Sequence, residues 1–233
     1  MSRRTLLTTA SLDPATAAPA NTRERIKKTA ITLFAQRGID GVAVRDIVLS
    51  SGQRNAASLH YYFGTKEALV RELVLDGATR INERRHAALD ALEARQAAPK
   101  LRDLLEVLVQ SSFEPTIEGD NGGAYLRFIA MLSMQHRDMF LEALGEQGNS
   151  GYKRALRLIR KELDNLSPRL LNQRLAFMGI YLSSVLAARE AALAAPHRAN
   201  TSLRGSLTIQ NLLDTLEAML TATPSAATRE QLL

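Results

Sequence analysis

Between Asn21 and Leu69 the apolar residues recur at a spacing that only short, packed helices satisfy, and this stretch constrains the whole chain. It reads NTRERIKKTAITLFAQRGIDGVAVRDIVLSSGQRNAASLHYYFGTKEAL. Ile26, Ala30, Leu33 and Phe34 fall on one helical stripe that stops at Gly38, with Asn21 as the expected cap and Glu24 completing a capping box. After the Gly38–Gly41 turn, Val44, Ile47 and Val48 mark a two-turn helix ending at Gly52. Asn55 is placed to cap a third helix that sends Leu59 and Phe63 inward, and Thr65 to cap a fourth. Two short helices across a tight Gly-containing turn, braced by another, make a helix-turn-helix, about residues 43–63.

The run LHYYFGTKEAL, lying behind VRDIVLSSG and TAITLFAQRG, resembles the N-terminal DNA-binding domain of the TetR family of bacterial transcriptional regulators. Three positions depart from the family pattern. Ala43 stands where a Thr usually caps the second helix, and His60 where a Tyr follows the recognition-helix Leu. The turn before the third helix is one residue longer, with polar Gln53 and Arg54 in place of a small apolar residue.

The third helix is the expected reader of double-stranded DNA. Ala56, Ala57, Ser58 and Tyr61 lie on its outward side, with His60 and Tyr62 at the edges. Small residues let a helix sit deep in the major groove, where Ala meets a thymine methyl and Ser bonds several base edges. Arg54 is a candidate for a bidentate guanine contact or for phosphate. Arg45, Asn55, Tyr62, Thr65 and Lys66 lie near helix N-termini and suit backbone contacts. Tyr61 and Tyr62 could equally pack against neighbouring helices.

Charge follows the same division. Residues 1–66 hold ten Lys/Arg against four Asp/Glu, and the remainder holds twenty of each, so the formal net charge of +6 lies wholly on the N-terminal part. Phosphate neutralisation calls for such a distribution. The absence of Trp and Cys and the 5% aromatic content argue against a base-stacking platform, thiolate metal sites and a cysteine nucleophile. Residues 1–20 are expected to be a disordered, basic arm. Arg3-Arg4 before Leu6-Leu7 is too weakly apolar for an export signal, so a cytoplasmic location is expected.

The rest of the chain reads as helices with no alternating strand pattern, giving an all-α fold. The expected domains are a DNA-binding domain over 21–81, a larger helical domain over 82–224 and a frayed tail over 225–233. A long fourth helix from Lys66 carries Arg84-Arg85-His86, read as a solvated stretch. Between Arg174 and Arg189 lie fourteen uncharged residues, LAFMGIYLSSVLAA, too short for a membrane span and too apolar for an open surface. No catalytic or metal-binding constellation emerges from the four scattered histidines, and no cofactor or metal is expected.

The family resemblance implies that the second domain encloses a small-molecule effector and that the last two helices pair in a homodimer. Phe113, Tyr125, Phe128, Met131, Met134, Phe177 and Tyr181 are the candidate effector contacts, pointing to a mostly apolar molecule; core packing is the simpler role for most of them. A ligand-released repressor on a palindromic operator is thus the leading expectation. An architectural DNA-coating protein is the alternative, and an enzyme or carrier in the second domain a further one.

Overall fold

The computed structural model describes residues 19–55, 57–95, 98–113, 123–146, 148–195 and 202–232. Among these, every regular element is a helix: α1 (Pro19–Arg37), α2 (Val44–Ser50), α3 (Ala57–Phe63), α4 (Lys66–Glu93), α5 (Leu101–Gln110), α6 (Tyr125–Gln135), α7 (Arg137–Leu144), α8 (Ser150–Glu162), α9 (Pro168–Ala194), α10 (Ser206–Thr221) and α11 (Ala226–Glu230). The first helix begins two residues before Asn21, which therefore lies within its first turn and does not cap it. Of the expected arm, residues 1–20, Pro19 and Ala20 lie in α1 and the other eighteen lie outside the described residues. The stretch expected to fray carries the single turn of α11, capped by Ser225.

Two apolar clusters organise the chain. The first gathers Ile26, Phe34, Ile47, Leu59 and Phe63 from α1–α3 around Leu69, Leu73 and Val74 of α4. The second gathers Leu104, Leu105 and Leu108 of α5, Ile159 of α8, Leu175 and Met178 of α9, and Leu212, Leu216 and Leu220 of α10 around Leu89 and Leu92 of α4. One continuous helix thus serves both cores, and the expected boundary near residue 81 falls inside it.

The first core also recruits Tyr125, Phe128 and Leu132 from α6. Phe128 stacks on Phe34 at 5.9 Å between ring centroids, so α6 is held against the helix-turn-helix as well as against α9. Burying each such ring stabilises by about 1.5–3 kcal/mol. Charge reinforces the α1–α4 contact: Lys27 Nζ lies 2.6 Å from Asp76, 3.0 Å from Glu24 and 3.1 Å from Glu72, and Arg23 also pairs with Glu72.

The α4 stretch read as solvated faces other helices. Arg84 donates to the Phe113 carbonyl, Arg85 to the Ser111 and Ser112 hydroxyls, and His86 Nε2 lies 2.9 Å from Ser150 Oγ. Asn82 Oδ1 accepts from Gly151 N at 2.7 Å, satisfying an orphan donor at the start of α8. The apolar helix α9 runs 27 residues, beyond its fourteen-residue uncharged centre, and by length and composition alone is long enough to cross a membrane. Arg174 within it is buried and donates to the Leu220 and Ala222 carbonyls at the end of α10.

Candidate nucleic-acid interface

The local sequence sets the geometry of the recognition unit. With Ala43 at its N-cap, α2 has no capping hydroxyl; Asp46 instead reaches back to accept from Ala43 N at 3.3 Å. Gly52 turns the chain at φ 74°, in the left-handed region that side chains avoid. Asn55 Oδ1 then accepts from Ala57 N at 2.9 Å and so caps α3. Thr65 Oγ1 does the same for α4, accepting from Ala68 N at 3.1 Å.

With Leu59 and Phe63 buried, the opposite side of α3 is open. Tyr61 is 81% exposed, meets Tyr62 edge-on at 5.0 Å and projects from the helix. Tyr62 is half-buried against the N-terminal core, which favours its packing role. Ala57 is exposed and Ser58 half-buried, while Ala56 lies outside the described residues. His60 Nδ1 bonds the Gly64 carbonyl. A carbonyl only accepts, so Nδ1 is the donor in this bond.

Arg45 at the start of α2 and Arg54 in the turn are both exposed. Among the described residues neither makes an intramolecular ion pair. Lys66 is differently placed: its ammonium donates to the Ile39 and Val42 carbonyls, each at 3.1 Å. It therefore staples the start of α4 to the α1–α2 turn, with one N–H left over. In the same turn the Glu67 carboxyl is held below its ordinary value by its own backbone N–H, against burial, with help from Thr65 and Lys66.

The residues expected to line an effector site do not converge. Tyr125 and Phe128 belong to the N-terminal core, and the Tyr125 hydroxyl donates to the Val74 carbonyl at 3.0 Å. Met131 lies against Gly38. Met134 is 79% and Phe177 51% exposed, and Tyr181 is exposed on α9, bonded to Thr215 of α10. Only Phe113 faces the interior of the second domain, packed on its core beneath Arg189. The contacts missing from the sequence reading are ionic. Glu190 of α9 accepts from Leu126 N, Arg127 N and Arg127 Nε, closing the N-terminus of α6.

An exposed recognition helix on a basic three-helix unit, continued by one long helix into a larger helical domain, defines a DNA-binding regulator of transcription. Residues 26–73 match the family described as bacterial regulatory proteins, tetR family, and residues 106–219 match the tetracyclin repressor-like C-terminal domain. The chain belongs to the TetR family.

Over 58 residues it is 40% identical to the HTH-type transcriptional repressor KstR2 of Mycolicibacterium smegmatis. That match takes in 25% of this chain and 28% of that repressor. The fold resembles that of a tetR family transcription regulator from Shewanella sp. PV-4, with a TM-score of 0.52 at 17% identity, over 85% of this chain and 95% of that one. A tetR-family regulator from Mesorhizobium loti gives 0.49 at 17% identity, over 88% and 97%.

Proposed function

We propose that the protein is a repressor that binds a palindromic operator as a homodimer and releases it when a small effector enters the second domain. The observation that carries this reading is the continuity of α4, whose first half packs the helix-turn-helix and whose second half packs α5 and α8. A molecule held against the second half has a rigid path to the first. It acts only through a difference in its affinity for the DNA-bound and DNA-free arrangements.

The contacts proposed for DNA are Arg45, Arg54, Asn55, Ala56, Ala57, Ser58, His60, Tyr61 and Tyr62, with Thr65 and Lys66 setting the start of α4. A dimer through α9 and α10 presents two copies of α3 to half-sites about one helical turn apart, or further for a longer operator. The protein then works in the cytoplasm, where the DNA lies.

Selection of bound fragments from genomic DNA, followed by footprinting, tests the reading. A symmetric protected site whose two halves are both required is the expected outcome. Equal affinity for every duplex would instead mark an architectural protein.

A further inference from the structure

His60 stands on one flank of the recognition helix. At about 100° per residue, buried Leu59 and Phe63 mark the side of α3 that faces the core, and exposed Tyr61 lies opposite. His60 then falls about 80° from the core direction on one side, and Tyr62 about 80° on the other. Tyr62 is half-buried, whereas His60 is exposed. A helix about 10–12 Å across fills a major groove about 12 Å wide. Side chains opposite the core then meet base edges, and an exposed flank meets the sugar–phosphate wall.

The ring is already committed at one end. Nδ1 donates to the Gly64 carbonyl at 2.5 Å, and Nε2 has no partner among the described residues. A neutral imidazole carries a single N–H, and here Gly64 takes it. A phosphate oxygen, like a carbonyl, accepts from such a ring. One imidazole can therefore bridge the Gly64 carbonyl and a phosphate only with both nitrogens protonated, as the cation. The neutral ring would set a bare nitrogen lone pair against the phosphate.

The charged groups around α3 are engaged elsewhere or point to solvent. Its packing partners are α2 and α4. Beside it, Arg45 and Arg54 are exposed, and Asp46 is turned to the Ala43 N–H and to Arg37. On α4, Lys66 holds the Ile39 and Val42 carbonyls, and Glu67 is bonded within its own turn. Arg23 of α1 reaches the Phe63 ring but pairs with Glu72. Among the described residues none of these groups, and neither Tyr61 nor Tyr62, bonds to His60.

We propose that His60 is a proton-gated phosphate contact: α3 grips the DNA backbone through Nε2 when the ring is charged and lets go of it when the ring is neutral. The complex then takes up protons, so affinity rises as pH falls through the range in which histidine titrates. This rests on the reading of the protein as an operator-binding dimer and makes that binding sensitive to pH.

Fluorescence anisotropy on the full chain with its selected operator, from about pH 5.5 to 8 at fixed salt, tests it. Each protomer takes up at most one proton at His60, so affinity should fall roughly ten- to a hundredfold between about pH 6 and 8. The log–log salt slope should also be shallower at the higher pH by about 0.9 per protomer, one phosphate contact fewer. His60→Lys, charged throughout, should keep tight binding at the higher pH. His60→Gln, which has no charge to lose, should lack the dependence. Both variants retain the other three histidines, so any dependence shared by all three proteins belongs to those. Ring nitrogen shifts in the wild-type complex near neutral pH should show both nitrogens of His60 protonated, a measurement that needs no variant. A wild-type titration that is flat, that runs the other way, or that His60→Gln retains in full overturns the proposal. Tight binding without pH dependence removes this contact and leaves the operator reading, whereas a protein that binds no duplex at any pH removes both.

Discussion

The ring of Tyr125 rests on the bare backbone of Gly77, so closely that a β-carbon at residue 77 would lie 2.1 Å from Tyr125 Cζ. The phenol reaches past it to the Val74 carbonyl. The absence of a side chain at residue 77 therefore sets how near α6 approaches α4. Because α6 also stacks on α1 through Phe128 and is capped from α9 by Glu190, this contact joins both domains.

Gly77→Ala is expected to push Tyr125 aside and destabilise the protein by about 1–3 kcal/mol, less the roughly 1 kcal/mol that Ala gains over Gly within a helix. Urea unfolding measures it. In a Tyr125→Ala background, itself destabilised by loss of the buried ring, adding Gly77→Ala should cost nothing further, since the clashing ring is gone. A Gly77→Ala protein more stable than wild type would show that the ring does not sit there.

DNA affinity should fall steeply with salt, with a log–log slope of about −0.9 per phosphate neutralised. Arg54→Ala is expected to relax preference at particular base pairs, by about 1–3 kcal/mol each. Equal losses on operator and random DNA would place Arg54 on phosphate. Lys66→Ala should behave differently, because its ammonium already holds the Ile39 and Val42 carbonyls. It should lower stability by about 1.5–3 kcal/mol as well as weakening every duplex alike. An unchanged melting curve would mean that the staple contributes nothing.

The recognition unit was legible in the sequence because short helices with strict apolar spacing leave few packing choices: Leu59 and Phe63 had to point inward, whereas spacing left Tyr61 open and the structure exposes it. Arg85 was not legible. A charged pair on a long polar helix gives no local sign of which face it occupies, and only the approach of α5 and α8 turns it inward. The effector candidates do not lie together for a related reason. Tyr125 and Phe128 read as second-domain aromatics by position, yet the close approach at Gly77 delivers them to the first core. Similarly, Leu212 and Leu216 of α10 suit either a subunit core or an interface by spacing, and the fold buries them in their own subunit.

Alkaline pH should loosen the α1–α4 contact. Burial works against the Lys27 charge, but hydrogen bonds to Asp76, Glu24 and Glu72 outweigh it and hold the ammonium well above its ordinary 10.5. A raised folded value contributes stability that is fully present below 10.5 and lost as pH rises through the folded value. Unfolding curves from pH 9 upward should therefore show a loss in wild type that Lys27→Met lacks. Parallel curves for the two proteins would count against the network.

The outward face of α9 provides the sharpest test of assembly. Phe177, Ile180, Tyr181, Ser184 and Ala188 recur at three- and four-residue steps and are all exposed, Ile180 to 64%. Only 28% of the helix's most apolar window is buried within one subunit. The Tyr181–Thr215 bond, at 3.0 Å, shows that α10 presents a face on the same side, where Leu207 is 76% exposed. Since Leu212 and Leu216 lie inside the subunit, charging them would unfold it and say nothing about pairing. Ile180→Glu leaves that core untouched and sets an unpaired carboxylate in the proposed interface, which is strongly unfavourable once water is excluded. The variant should remain helical by circular dichroism and run as a monomer in sedimentation. It should also lose operator affinity by about a hundredfold or more, because two linked half-site contacts become one. An Ile180→Glu protein that stays dimeric, or a monomer that binds the operator as tightly as wild type, would remove α9 from the interface.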